Sequence, residues 1–217
     1  MMPNTAALVL AGGRSRRMGR DKALLPLPEP QTNLLQQVCT VTQACVSRTY
    51  VLTPWPERYN HFLPPTITLL PEPTVGQGPL VALATGWSMI LQDCQRYQRP
   101  APDWLLVLAC DMPALDVPTL QKWRQKLKGM TIESGDEIAA LPKHEQRWEP
   151  LCGFYHRRCI PSLENALANN IRSFQQWLIN EDKRVIALPM PDHHMLRNCN
   201  TPKQWQQFLD ESNHRNP

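Results

Sequence analysis

Several familiar signatures are missing from this chain of 217 residues. No apolar run approaches the ~20 residues that a bilayer-spanning helix needs, and the first residues lack the charged and apolar regions of a signal peptide. The seven cysteines never form a C-x-x-C pair. Without a signal peptide, this pattern predicts reduced thiols that pack as small apolar side chains. We therefore expect a cytoplasmic protein that does not contact a membrane.

Two well-known nucleotide loops and the common zinc motifs are excluded by spacing. A P-loop has its Lys directly after the last glycine and then Ser or Thr, whereas here Lys22 follows Gly19 by three positions and precedes Ala23. A dinucleotide fingerprint is G-x-G-x-x-G, whereas Gly12 and Gly13 are adjacent and Gly19 is six positions further. The histidines and cysteines lack zinc-finger or H-E-x-x-H spacing, which favours packing or surface roles over a zinc site.

The most informative segment is an apolar run followed by a glycine-rich, cationic loop. Residues 6–10 read as a short buried strand, and Gly12, Gly13 and Gly19 follow it. Five cations lie on the same loop: Arg14, Arg16, Arg17, Arg20 and Lys22. Glycines let backbone N–H groups approach a ligand, and the cations supply charge for a polyphosphate. The loop therefore predicts a nucleotide site, and this local charge suits a small anion better than a nucleic-acid track.

Alternating apolar segments predict the fold. Strands are expected at 6–10, 49–52, 66–70, 103–109, 137–141, 149–155 and 184–188, and helices at 33–46, 79–91, 117–127, 159–169, 171–179 and 202–209. This alternation is typical of a three-layer α/β fold with a mainly parallel central sheet. We expect a single domain over residues 1–217, with a nucleotide-binding half at about 1–115 and a second half at about 116–210.

Three further segments could carry chemistry at the carboxyl ends of strands, where such sheets bind ligands. Asp111 follows the apolar strand 103–109, and its carboxylate could hold Mg²⁺ on a triphosphate or simply cap the next helix. Gly78 lies in a glycine-rich turn that opens a helix, and the exposed N–H groups there could read a base edge or hold an anion. The alternative is that this turn is an ordinary helix start. Asn198 and Asn200 precede the last helix, for which Thr201 is a suitable N-cap.

Together these segments resemble the molybdenum cofactor guanylyltransferases over nearly the whole chain. The family pattern L-A-G-G-x-S-x-R-M-G-x-D-K matches residues 10–22, and its D-x-P, G-P-L-x-G and N-x-N-T-P motifs have counterparts at residues 111–113, 78–82 and 198–202. The resemblance implies a Rossmann-like nucleotidyltransferase fold that moves GMP from GTP to the phosphate of molybdopterin, with Mg²⁺ as cofactor. An accessory cofactor-delivery protein or an acceptor molybdoenzyme is a further expected partner.

The resemblance also implies roles for individual residues. The nucleotide would be bound by Leu10, Ala11, Gly12, Gly13, Lys22, Glu72, Gly78 and Asp111. Asp111 would hold the metal, and Lys22 with Arg16 or Arg17 would stabilise charge on the α-phosphate and the leaving pyrophosphate. Asn198 and Asn200 would lie on the pterin side, in the second half of the chain.

Three departures from the family pattern leave alternatives open. Glu72 stands where an aspartate is usual, Thr53 where an asparagine is common, and Ala82 replaces the second glycine of G-P-L-x-G. The nearest alternative is a molybdopterin cytidylyltransferase, although those enzymes usually carry L-A-A-G where this chain has L-A-G-G. A non-catalytic carrier of GTP or the pterin is the second alternative, and a nucleic-acid-binding module is a distant third.

Overall fold

The computed structural model describes residues 3–28, 32–133, 135–145, 147–190 and 192–215. In this part of the chain the strands are β1 (Thr5–Leu10), β2 (Thr49–Thr53), β3 (Ile67–Pro71), β4 (Trp104–Ala109), β5 (Ala139–His144), β6 (Arg147–Trp148), β7 (Cys152–His156) and β8 (Val185–Leu188). The α-helices are α1 (Leu34–Cys45), α2 (Pro56–Tyr59), α3 (Pro79–Arg96), α4 (Val117–Glu133), α5 (Ile160–Ala168), α6 (Phe174–Asn180) and α7 (Pro202–Arg215).

The eight strands form one sheet in the order β3-β2-β1-β4-β7-β5-β6, with β8 paired to β5. Strands β1 to β4 are mutually parallel, whereas β7 runs antiparallel to both of its neighbours. Leu10 lies opposite both Leu52 and Ala109. The loops that follow β1, β2 and β4 therefore leave the sheet side by side, at the edge where such folds bind ligands.

Helices cover both faces of the sheet. Helices α1, α4 and α7 contribute Val38, Leu120 and Trp205 to one apolar cluster, which includes alternate residues of the central strands. Helices α3, α5 and α6 supply the other cluster, and the remaining strand residues point into it. Because both faces are covered, β4 is apolar throughout and β1 is apolar after Thr5, as parallel strands in such layers are. The predicted three-layer α/β fold with a mainly parallel sheet is confirmed.

The observed elements differ from the predicted ones mainly at their ends. Helix α3 runs five residues beyond position 91, since Cys94 continues its buried stripe. Helix α6 begins at Phe174, because the Ser173 side chain caps it by accepting from the Gln176 N–H. The predicted strand 149–155 is observed only from Cys152 onward, as β7, and residues 149–151 form the turn between β6 and β7. Helix α2 was not predicted, since a single turn carries no periodic signal.

Among the described residues, no helix combines the length and the apolar character of a bilayer span. All seven cysteines are buried and free of disulfides. Burial raises the pKa of the Cys39 thiol to about 12 and that of Cys45 to about 11. These thiols pack within the protein core, as the sequence predicted.

Candidate active site

The glycine-rich loop is fastened to its neighbours where β1 ends. The Ala11 N–H donates to the Leu52 carbonyl (2.9 Å), and the Leu10 carbonyl accepts from the Cys110 N–H (3.2 Å). These bonds join the loops after β1, β2 and β4. The Gly12 N–H has no hydrogen-bond partner among the described residues. Of the backbone predicted to meet the base, Gly12 is therefore better placed to bind a ligand than the Leu10 carbonyl or the Ala11 N–H.

Lys22 is held in position by the residues around it. The Asp21 carboxylate accepts from the Ala23 N–H (3.1 Å) and caps the short 3₁₀ turn Lys22–Leu24. Its other oxygen accepts from the Tyr59 hydroxyl (2.8 Å), and the Ser15 hydroxyl oxygen accepts from the Lys22 N–H (3.1 Å). Burial and the Asp21 hydrogen bond together raise the pKa of Tyr59 well above its usual value. Tyr59 is therefore a neutral donor to Asp21.

The Lys22 ammonium joins two residues that are far away in the sequence. Its Nζ lies 2.6 Å from Asp111 Oδ2 and donates to Asn200 Oδ1 at 2.8 Å. The Cys199 N–H donates to the Asp111 carbonyl (3.0 Å), which holds the late motif against the loop after β4. The Lys22 and Asp111 side chains are 14% and 13% exposed, so this ion pair is largely shielded from water. Three sequence-predicted residues therefore form one cluster.

Lys22 and Asp111 line a cavity of about 300 Å³, and Asn200 is joined to its wall through Lys22 without lining it. The lining residues are Leu10, Ala11, Gly12, Gly13, Arg14, Ser15, Asp21, Lys22, Ala23, Leu52, Tyr59, Glu72, Gly76, Gly78, Pro79, Ala82, Ala109, Cys110, Asp111 and Leu151. Every predicted nucleotide-binding residue is among them. The set combines apolar surface with a few convergent polar groups, as small-ligand sites do. Gly78, the N-cap residue before α3, has a φ of 91°, a left-handed conformation that favours glycine.

Glu72 also lines this cavity, and its carboxylate lies next to Gly12. Its N–H donates to the Thr53 carbonyl (2.8 Å), which places it directly beyond the ends of β2 and β3. A Cβ added at position 12 would overlap the Glu72 carboxylate, which would then have to move. Burial raises the pKa of the Glu72 carboxyl. The absence of a methyl group at position 12 leaves room for the Glu72 carboxylate in its present position.

The remaining predicted site residues lie elsewhere. Asn198 does not line the cavity, and its Oδ1 is buried without a hydrogen-bond partner in the described structure. Arg17 is exposed and lines neither this cavity nor the neighbouring pocket, to which Arg16 contributes. Its placement does not favour the catalytic role predicted for it. Within the described ranges, no three His, Cys, Asp or Glu residues cluster as a metal site.

Sequence reasoning did not identify Tyr59 or Ser15, which orient the segment carrying Lys22. Ser15 belongs to the glycine-rich motif and could have been found there. Tyr59 is separated from that motif by a strand and a helix, and no local pattern marks it. Its role comes from the parallel pairing of β1 and β2, which brings their following loops together.

Comparison with known proteins finds relatives that match most of this chain. Residues 7–184 match the model of the MobA-like NTP transferase domain. A probable molybdenum cofactor guanylyltransferase from Nostoc sp. PCC 7120 is 45% identical over 202 residues, which cover 93% of this chain and 89% of the relative. The corresponding protein of Synechococcus elongatus PCC 7942 is 42% identical over 206 residues, covering 94% of this chain and 97% of its own length.

Solved structures show the same fold. The molybdopterin-guanine dinucleotide biosynthesis protein A of Archaeoglobus fulgidus superposes with a TM-score of 0.71 at 19% identity, covering 96% of this chain and 99% of its own. A nucleotidyl transferase from Methanothermobacter has a TM-score of 0.70 at 18% identity, with coverages of 98% and 99%. With three of its four motifs lining one cavity and the fourth joined to Lys22 through Asn200, this chain belongs to the MobA-like nucleotidyltransferase family.

Proposed function

We propose that this protein transfers GMP from GTP to the terminal phosphate of molybdopterin, releasing pyrophosphate. The observation that carries the proposal is the contact of Lys22 with Asp111 and Asn200 at the wall of the glycine-lined cavity. The same activity is named for relatives that match this chain over nearly its full length. Motifs from the start, middle and end of the sequence thus meet where nucleotide and acceptor would have to meet.

The proposed reaction is an in-line displacement at the α-phosphorus of GTP. A phosphate oxygen of the pterin forms the new P–O bond while the bond to the β-phosphate breaks, and pyrophosphate takes the electron pair of that bond. Phosphoryl-transfer catalysis is mainly positioning and charge neutralisation, so no covalent enzyme intermediate is needed. Lys22 is the cation closest to both Asp111 and the late motif, and it would neutralise charge on the α-phosphate.

Asp111 suits the role of a Mg²⁺ ligand. Magnesium is bound in such sites through one or two carboxylates together with substrate phosphates and water, so the Asp111 carboxylate on the cavity wall would be enough for that chemistry. Asp21, the nearest other carboxylate of the loop, already accepts from Ala23 and Tyr59. Bound there, the metal would supply positive charge to the triphosphate. Lys22 would keep the Asp111 carboxylate oriented until the nucleotide binds.

Glu72 is proposed to read the guanine base. The Watson–Crick edge of guanine presents two adjacent N–H donors, which a carboxylate accepts with both oxygens. The same edge of cytosine presents one amino donor beside two acceptors, which would face the carboxylate unfavourably. Gly12 leaves the space in which this carboxylate lies. Asn198 and Asn200 are proposed to lie on the pterin side.

Pyrophosphate release tests the proposal. Purified protein would be incubated with molybdopterin and Mg²⁺ and offered GTP, CTP, ATP or UTP separately, with EDTA as the control for metal dependence. We expect release with GTP alone and none in EDTA. Release with CTP alone would assign the cytidylyl reaction and overturn the role given to Glu72. GTP binding without any release would favour the carrier.

A further inference from the structure

A second pocket of about 620 Å³ adjoins the nucleotide cavity and shares Gly13, Arg14, Ser15 and Asp21 with it. Its other lining residues are Arg16, Gly19, Arg20, Trp55, Arg58 and Val75. It therefore continues the nucleotide cavity along the cationic face of the first loop.

The pocket is strongly positive. Arg14, Arg16, Arg20 and Arg58 line it, and none of them forms an ion pair with another described residue. Asp21 is the one carboxylate in the lining, and its oxygens already accept from Ala23 and Tyr59. Four guanidinium groups without a carboxylate partner around one pocket indicate a site for a multivalent anion.

Arg58 differs from the other three arginines in its origin and its support. It comes from α2, beyond β2, whereas the others belong to the first loop. Its guanidinium carbon lies 4.6 Å from the centre of the Trp55 ring, a cation–π contact that orients the side chain. The planar group can stack on the indole and still direct its N–H donors outward.

Helix α2 is also fastened to the loop that it faces. Tyr59, next to Arg58, is 1% exposed and donates to Asp21, which caps the turn carrying Lys22. The hydrogen bond fixes the helical turn of Arg58 relative to Lys22. Arg58 lines the second pocket and Lys22 lines the first cavity, and Asp21 links the two segments that carry them.

We propose that Arg58, stacked on Trp55, is a phosphate-binding residue that holds the β- and γ-phosphates of the nucleotide and then the pyrophosphate product. The inference rests on the proposed function and adds a residue from outside the glycine-rich motif. A diphosphate fits because the pocket continues from the cavity that holds Lys22 and Asp111. A nucleic acid would need cations spread over a longer surface than one pocket.

Binding measurements separate this role from a general effect on the protein. Isothermal titration calorimetry would compare GTP, GMP and inorganic pyrophosphate on the full chain with Arg58→Ala, Arg58→Lys and Arg96→Ala. Arg96 is the matched control, because it is also exposed and stacked on an aromatic ring, that of Tyr97 at 5.6 Å, but lies at the far end of α3.

We expect Arg58→Ala to weaken pyrophosphate and GTP binding by ~10-fold and to leave GMP binding within about twofold, since GMP lacks the two terminal phosphates. Arg58→Lys should recover part of the loss, and Arg96→Ala should change nothing. Equal weakening of GTP and GMP, or unchanged pyrophosphate affinity, would overturn the inference. Failure of the proposed function looks different: pyrophosphate would bind through Arg58 while GTP and GMP bound no better than CTP and CMP.

Discussion

At the scale of single residues, Lys22 and Asp111 form an ion pair in a largely buried position, where each charge depends on the other for stabilisation. Both side chains are mostly shielded, and Asn200 supplies a further acceptor to the same ammonium. Removing one charge leaves the other without its partner in a poorly hydrated place, which is costly. The pair therefore affects both the local structure and the proposed chemistry, and a test has to separate the two.

Isosteric substitutions make that separation. We expect Asp111→Asn and Lys22→Met each to lower kcat for pyrophosphate release by ~100-fold or more, the scale seen when one group that stabilises transition-state charge is lost. The double variant should lose much less than the product of the two effects, because interacting residues are not additive.

Lys143→Met is the matched control, since Lys143 forms a more exposed pair with Asp182 at 3.2 Å. Its kcat should stay within about twofold of the wild type. Circular dichroism and thermal unfolding of every variant would exclude a general loss of structure. Near-normal turnover by Asp111→Asn at saturating GTP and Mg²⁺ would contradict the role assigned to it.

Most of the site residues could be predicted individually, because each follows an apolar strand or opens a helix. Lys22, Asp111 and Asn200 are marked by motifs, and strand-end reasoning places the first two at one edge of the sheet. Their mutual distances could not be predicted, since these depend on loop paths. Arg58 and Trp55 carry no motif, and only the adjacency of two loops reveals their pocket.

At the scale of elements, α1 shows how a short sequence signal fixes a helix end. Asn33 accepts from the Gln36 N–H (2.9 Å), and the Gln36 side chain accepts from the Asn33 N–H (2.9 Å), which completes a capping box. Helix α1 packs against α4 and against the 3₁₀ turn Lys22–Leu24. The position of the helix is therefore linked to the position of the segment that carries Lys22.

Asn33→Ala should lower the free energy of unfolding by ~1 kcal/mol. The Gln36 N–H loses its acceptor, and the hydrogen bond from the backbone N–H of residue 33 to the Gln36 side chain is weakened. Urea denaturation followed by circular dichroism measures this loss. Thr40→Ala, an exposed substitution later in α1, serves as the control and should stay within ~0.5 kcal/mol. Equal effects of the two substitutions would show that the capping box adds no more to the free energy of unfolding than an exposed side chain does.

Strands and long helices were predicted well because their apolar periodicity is strong, and their ends less well because capping and tertiary contacts decide them. Cys94 extends α3 only because a buried space exists for it beside Tyr50 and Arg48. Helix α2 and strand β6, with four and two residues, are too short to generate a pattern.

At the scale of the whole molecule, β7 ties the parallel strands to the rest of the sheet by antiparallel pairing, and His156 ends it. This side chain is 4% exposed, packs edge-on against Trp104, and accepts from the Arg158 N–H (3.1 Å). Burial, followed by the charge of Arg158, lowers the pKa of His156 to about 4. The folded protein therefore keeps this imidazole neutral at pH values where an unfolded chain protonates it.

The stability of the fold should consequently depend on pH. Because the folded pKa lies below the unfolded value of ~6.5, the unfolded chain binds more protons between the two values, and stability rises with pH across that window. We expect the free energy of unfolding to fall by ~2 kcal/mol or less from pH 7 to pH 5 through this residue. In His156→Asn, which retains an acceptor for Arg158, the fall should be smaller by that amount.

Denaturant unfolding at pH 7, 6 and 5 measures the difference. Two pH profiles that run parallel would contradict the assignment.

The strand order itself was not predictable from the sequence beyond a mainly parallel sheet, because the antiparallel insertion of β7 between β4 and β5 leaves no periodic trace.

The cluster around Lys22 has a consequence for how the protein is made. Its hydrogen bonds join positions separated by 89 and 178 residues. During synthesis on the ribosome, the glycine-rich loop emerges long before Asn200. The loops after β1 and β2 can thus begin to fold early, whereas the contact of Lys22 with the late motif waits until residue 200 has emerged. Under the proposed function, no nascent fragment ending before residue 200 would hold the complete catalytic arrangement, so partly made chains would not use the pterin.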